Sequence, residues 1–165
     1  MRLFVAIQFS PAVRSSLLEA IAALRQQGDG NFTRPENLHL TLAFIGETED
    51  LAGAKAALDA SCTGGPVFLA VGGLGHFGDL WWTGIQADSR LESLARAVQQ
   101  ALRARGFSIE KRPWKPHVTL VRQWRGPHPR LTVREISMKA ERVSLMKSER
   151  IHGKLTYTEI YSVRL

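Results

Sequence analysis

His39-Leu40-Thr41-Leu42 returns as His117-Val118-Thr119-Leu120, 78 positions later (117 − 39), each time inside a strand-like apolar run. Side chains alternate faces along a β-strand, with a rise of about 3.3 Å per residue. Each histidine therefore shares a face with its threonine, about 6–7 Å away along the backbone, while Leu40 or Val118 points the other way. An imidazole moves protons near neutral pH and a hydroxyl can hold an oxyanion. Two such pairs facing each other supply an acid, a base and a phosphate cradle without a metal. A strand that places polar residues among leucines needs a reason, because an unpaired buried polar group costs about 1–3 kcal/mol. A structural hydrogen-bond network joining the two pairs is the bland alternative.

The flanking sequence repeats with the motif. Arg2 to Gln8 reads as a strand, and Ser10-Pro11 as an N-cap followed by proline at the first helical position. Val13, Leu17, Ile21 and Leu24 then form an amphipathic stripe that ends before Gly28-Asp29-Gly30, and a strand is expected from Asn37 to Ile45. The order recurs as a strand at Trp81 to Ile85, a capping-box signature at Ser89 and Glu92, and a stripe of Leu91, Leu94, Val98 and Leu102. That stripe stops at Gly106, and the second motif strand begins after Pro116. Ile7 to Ile85 is 78 residues, Ser10 to Ser89 is 79, and the histidines are 78 apart, so three features keep nearly one register. The whole chain, 1–165, is expected to be one domain with an internal duplication of strand–helix–strand units at about 2–45 and 80–122.

Outside these units, Leu51 to Cys62 reads as a short helix and Val67 to Val71 as a strand. Leu131 to Lys147 and Lys154 to Leu165 read as long antiparallel strands. The expected class is α+β: two pseudo-symmetric lobes of antiparallel sheet, helices packed outside, and an active-site cleft between them.

Composition narrows the partners. With 44% hydrophobic and 22% charged residues, the chain of 165 can bury a sizeable core. Its net charge of +7 favours an anionic partner. The single Cys62 excludes an intrachain disulfide framework and fits a reducing cytosol. No signal peptide is recognisable in the short run Leu3 to Ile7, and no run approaches the ~20 apolar residues that cross a bilayer. A cytoplasmic protein without membrane association is expected.

On its motifs the chain resembles the 2H phosphoesterases, and within them the bacterial and archaeal RNA 2′,3′-cyclic phosphodiesterases, also called 2′-5′ RNA ligases. The resemblance runs through Arg2-Leu3-Phe4-Val5-Ala6-Ile7, Glu36 to Gly46 around the first motif, Trp114 to Arg122 around the second, and the closing segment through Tyr157. It implies a bilobal α+β fold with both motifs lining one cleft, no cofactor and no metal requirement. It further implies His39 as the acid that protonates the 3′ oxygen and His117 as the base that activates water, leaving a 2′-phosphate. The sequence itself leaves that assignment open, because the two copies are nearly equivalent. Thr41 and Thr119 would hold the non-bridging oxygens.

Arg122 is the clearest asymmetry, since Phe44 occupies the matching place after the first motif. It matches an arginine of the family's second motif and is a candidate phosphate ligand. Strict alternation, however, puts residue 122 on the face opposite His117 and Thr119, so it needs a bulge to reach the cleft. Lys115, within the basic stretch Lys111 to Lys115, and Arg34 ahead of the first motif are candidates for RNA phosphates, with Trp114 as a stacking platform. Gly73 to Gly78 fits G-x-G-x-x-G but precedes strand-like residues rather than a helix, so it reads as a hairpin connection. No spacing resembles a zinc site.

The expected function is metal-independent, two-histidine hydrolysis of 2′,3′-cyclic phosphate ends on RNA or oligonucleotides, with reversible 2′-5′ ligation as the same chemistry. The expected partner is such an RNA end, and the expected state a monomer. The alternatives are a 2H phosphoesterase acting on a small cyclic nucleotide or 2′-5′ oligonucleotide, and a non-catalytic RNA-binding module.

Overall fold

The computed structural model describes residues 1–165. Its elements are β1 (Arg2–Gln8), α1 (Pro11–Arg25), β2 (Asp29–Phe32), β3 (His39–Glu47), α2 (Leu51–Ser61), β4 (Val67–Phe77), β5 (Leu80–Ala87), α3 (Ser89–Ala104), β6 (His117–Arg125), β7 (Ile136–Ala140), β8 (Arg142–Ile151) and β9 (Lys154–Arg164). They build two antiparallel sheets, ordered β3-β1-β8-β9 and β2-β6-β5-β4-β7. Apart from β2, the orders match strand for strand, with motif strand β3 in the place of β6 and the strands before the first and third helices, β1 and β5, beside them.

β1 is apolar without interruption because both its faces are covered. Leu3, Val5 and Ile7 join a main cluster of 36 buried residues, while Phe4 and Ala6 pack with Met146 and Tyr157 on the opposite face. The main cluster draws on both sheets and all three helices, so neither lobe has a core of its own. α1 starts as its sequence dictates: the Val13 amide donates to Ser10 Oγ at 3.3 Å, Pro11 stands in the first turn, and Val13, Leu17, Ala20, Ile21 and Leu24 face inward.

Three local expectations change, and one segment without an expectation forms a strand: Asp29–Phe32 is β2 and pairs with β6. The glycines permit that approach: a Cβ at Gly30 would lie 2.7 Å from the Val121 side chain, and one at Gly28 would lie 2.6 Å from the Trp124 ring. The first motif strand begins at His39 rather than Asn37, because Pro35–Asn37 forms a 3₁₀ turn and the Asn37 side chain donates to the Leu155 carbonyl at 3.1 Å. α3 is capped by Asp88, whose carboxylate accepts the Leu91 amide at 2.8 Å, and Ser89 is already helical. The expected strand from Leu131 to Lys147 is two strands in different sheets, since the chain crosses between lobes at Glu141.

The glycine-rich stretch is less of a connection than expected. β4 runs on to Phe77 through an irregular register between Gly72 and Gly75, and the turn itself is Gly78-Asp79. No helix is long and apolar enough to cross a membrane.

The capping correction is checkable. Asp88→Ala is expected to destabilise the fold by about 1 kcal/mol, and Ser89→Ala by no more than a few tenths. Urea midpoints at constant slope separate the two.

Candidate active site

Both histidines sit at the first position of their strands, β3 and β6. Each turns its ring back onto the chain it has just left. His39 Nδ1 donates to the Asn37 carbonyl at 2.6 Å, and His117 Nδ1 donates to the Lys115 carbonyl at 2.7 Å. A carbonyl only accepts, so in the neutral imidazole the proton stays on Nδ1 and Nε2 keeps its lone pair. His39 Nε2 lies 2.9 Å from Thr41 Oγ1. The same two-residue device therefore fixes tautomer and ring orientation at both motifs.

The objection to Arg122 is removed by a bulge. Trp82 pairs with Thr119 but Trp81 with Val121, so Leu120 is an extra residue in β6. Burial follows: Val118, Leu120 and Val121 are all in the core, and Arg122 emerges exposed on the His117 face. β3 does the same thing at the same place. Ala6 pairs with Thr41 and Val5 with Ala43, leaving Leu42 as the extra residue, three after its histidine as Leu120 is three after His117. Phe44, 65% exposed, consequently shares the face of His39.

The two surroundings differ. His39 is flanked by Phe4, with ring centroids 4.8 Å apart, and by the edge of Tyr157 at 5.2 Å. Burial among these rings lowers the His39 pKa, and the Asn37 carbonyl only partly opposes it. Burial raises the Tyr157 phenol, while the positive charges of Arg122 and then Arg2 pull it back. Arg122 of the second motif strand thus acts on the ring that touches the histidine of the first. His117 is met by the edge of Phe77 at 5.5 Å and by Trp82 at 6.2 Å.

Direct bonds also tie the motif strands together. Trp114 Nε1 donates to the Thr41 carbonyl at 3.0 Å, which gives this residue a structural task in place of an open stacking surface. Ahead of the first motif, the Thr33 hydroxyl donates to the Thr119 carbonyl at 2.8 Å and its amide to the Leu120 carbonyl at 3.0 Å. Arg34 bonds its neighbour Glu36, so its charge is already engaged. The Lys115 side chain is exposed, with its carbonyl holding His117.

Sequence reasoning missed Tyr157, Phe4 and Phe77 as neighbours of the histidines. Phe4 was legible in part, because the His39 face continues across β1, where Gln8 pairs with His39 and Phe4 with Phe44. Tyr157 arrives from β9, two strands away from β1, and Phe77 from a bulged strand; neither carries a local signal. No three His, Cys, Asp or Glu side chains converge in a group that could hold a metal ion.

Comparison with known proteins bears on the family and the fold. The family model of the 2′-5′ RNA ligase superfamily matches residues 13–152. An RNA 2′,3′-cyclic phosphodiesterase of Bacillus subtilis is 30% identical over 149 residues, covering 81% of this chain and 80% of the relative. One of Thermotoga maritima is 33% identical over 131 residues, covering 74% and 70%. Another, of Geobacillus stearothermophilus, is 35% identical over 125 residues, 66% of this chain but only 39% of that longer protein. The apo crystal structure of Escherichia coli LigT superposes with a TM-score of 0.85 at 25% identity, over 99% of this chain and 96% of that one. With sequence and fold in agreement over nearly its full length, the chain belongs to the 2′-5′ RNA ligase superfamily.

Proposed function

We propose that this chain opens 2′,3′-cyclic phosphates at RNA ends to 2′-phosphomonoesters, using its two histidines as acid and base and no metal. The observation that carries the reading is the paired device itself: two His-x-Thr strands, each with Nδ1 held by a backbone carbonyl and Nε2 left to exchange a proton. Relatives named RNA 2′,3′-cyclic phosphodiesterase support the substrate. The matching sheet orders and the bulge shared by β3 and β6 support an origin by internal duplication. Both motifs come from one chain, so a monomer suffices. The lone buried Cys62, whose thiol pKa burial raises, suits a cytosolic protein.

The cyclic phosphate lies between the imidazoles. His117 Nε2 takes a proton from water as the oxygen attacks phosphorus, and His39 Nε2–H gives a proton to the departing 3′ oxygen. Thr41 and Thr119 donate to the non-bridging oxygens, and Arg122 adds positive charge where negative charge builds. Lys115 and Arg34 stand on the approach for more distant phosphates, Arg34 at the cost of its bond to Glu36. The surroundings of His39 support a coupling of binding to protonation. Burial disfavours its protonated form, and an arriving phosphate anion draws a proton onto it.

Three measurements test this. A short RNA ending in 2′,3′-cyclic phosphate should turn over in EDTA, and His39→Ala or His117→Ala should each cost about 10²–10⁴-fold. Loss of wild-type activity in EDTA would contradict the mechanism. Arg122→Ala should lower kcat/KM about 10–100-fold, matching the ~1.5–3 kcal/mol of a charged hydrogen bond. In an NMR titration, the lowered His39 pKa means that its ring protonates at a lower pH than an exposed imidazole. A bound 2′-nucleotide should move that midpoint upward, and an unmoved midpoint would separate His39 from the phosphate.

A further inference from the structure

Each motif histidine hangs on the carbonyl of the residue two places before it, and the two carbonyls are supported differently. In the second copy the tether is Lys115-Pro116-His117. The proline ring fixes its own φ and confines the preceding residue to extended backbone. Covalent structure therefore places the Lys115 carbonyl, and the Lys115 side chain is left exposed. In the first copy Leu38 stands where the proline would be. Asn37 ends a single 3₁₀ turn, in which its amide donates to the Arg34 carbonyl at 2.9 Å and the Leu38 amide to the Pro35 carbonyl at 3.4 Å. One such turn is a weak hold.

The Asn37 side chain adds another. The residue is 8% exposed, its Nδ2 donates to the Leu155 carbonyl at 3.1 Å, and its Oδ1 is buried without a partner. Exchanging the two amide atoms would set oxygen against oxygen, so the Leu155 carbonyl decides the orientation. A buried, half-satisfied amide is costly where an apolar side chain could pack, and packing does not account for it.

Leu155 belongs to an arm. β1 stops pairing with β8 at Ser148, and the β8–β9 hairpin continues alone from Glu149 through the His152-Gly153 turn to Thr156. In register the arm runs past the Arg2 end of β1, whereas His39 pairs with Gln8 at the other end. It nevertheless curls back far enough for Leu155 to bond Asn37 and for Tyr157 to lie edge-on to His39 at 5.2 Å. Two alternate residues of β9 thus bear on one histidine, Tyr157 on its ring and Leu155 on its tether. In the same turn, Glu36 has its carboxyl pKa lowered by its own amide and by Arg34, and the charge of Lys154 on the arm adds to them.

We infer that Asn37 is a positioning residue for His39: its side chain fastens the carbonyl that holds the His39 Nδ1 proton to the β8–β9 arm, and the arm thereby sets the direction of Nε2. The inference rests on the hydrolase reading above, in which His39 gives a proton from Nε2. The cation that gives that proton must keep the one on Nδ1. A carbonyl free to drift from Nδ1 lets the neutral ring take the other tautomer. His117 needs no such fastening, because Pro116 already fixes its tether.

Long-range proton–nitrogen NMR spectra read the tautomer of each neutral imidazole without substrate. In wild type both rings should carry the proton on Nδ1. Asn37→Ala should bring up the Nε2–H form at His39 alone, with kcat on a cyclic-phosphate RNA reduced roughly tenfold or more and KM nearly unchanged. Gly153→Val keeps Asn37 but forces a β-branched residue to a φ of 77° at the turn, where its Cβ meets no neighbour. It should move His39 in the same direction, again without His117. An Asn37→Ala chain that melts like wild type, with the His39 tautomer and kcat unchanged, overturns the inference. So does an equal change at both histidines, which marks general loosening. A response to Asn37→Ala with none to Gly153→Val separates the arm from the tether and overturns the arm's part. A wild type that leaves the cyclic phosphate intact, while Asn37→Ala still shifts His39, would instead refute the hydrolase reading.

Discussion

A strand has two faces, and both motif strands must give one to the core and the other to solvent-facing polar groups. Leu40 and Leu42 on β3, and Val118 and Leu120 on β6, enter one continuous core shared by both sheets and all three helices. That shared burial fixes which way His39, Thr41, His117 and Thr119 point, because a one-residue slip would send every side chain to the other face. The polar face is therefore held in register by the stability of the whole domain rather than by its own hydrogen bonds. The cross-lobe bond from Trp114 to Thr41 then sets one motif strand against the other, and the bond from Thr33 to Thr119 ties the chain leaving β2 for β3 to β6.

Much of this was legible in the sequence for a physical reason. The motif spacing of two is the strand period, and the stripes of α1 and α3 are the helical period, so local pattern alone placed the framework. What failed to show were places where one residue breaks the period. The bulges at Leu42 and Leu120 look like ordinary core leucines, yet they decide that Phe44 and Arg122 rejoin the polar face. β2 was hidden because the glycines that let it approach β6 are also loop residues. Asp88 and Ser89 are both good capping residues, and only the backbone shows that Asp88 takes the cap. Tyr157 reaches His39 through tertiary pairing across β1, β8 and β9, which no local pattern records.

The departures from symmetry carry as much meaning as the repeat. At the position five residues after each histidine, one strand presents Phe44 and the other Arg122. Around His39 stand Phe4 and Tyr157, with Phe44 beyond Phe4, while the sheet beside His117 is stripped to glycine at 72 and 84. Duplicated backbones thus set aromatic rings beside both histidines but leave the sheet open only next to His117. On the proposed mechanism this is what distinguishes leaving group from nucleophile, since the imidazoles and their carbonyl partners are alike.

On the proposed mechanism, the burial of His39 bears on its role as acid. A histidine whose pKa burial lowers would at first suit a base, but a cyclic phosphate changes the field it feels. Rings that exclude water remove the hydration that stabilises an imidazolium, and they also leave a nearby phosphate charge poorly screened. The same surroundings that lower the His39 pKa without substrate therefore amplify the rise when the anion arrives. A proton acquired in this way is held by a group whose empty-site pKa is low, so it is readily given up once the phosphate charge moves onto the departing oxygen. Arg122 and Arg2, whose charges both reach Tyr157, would on this proposal limit that rise by sharing the phosphate charge, so that His39 stays a donor rather than a fixed counter-ion.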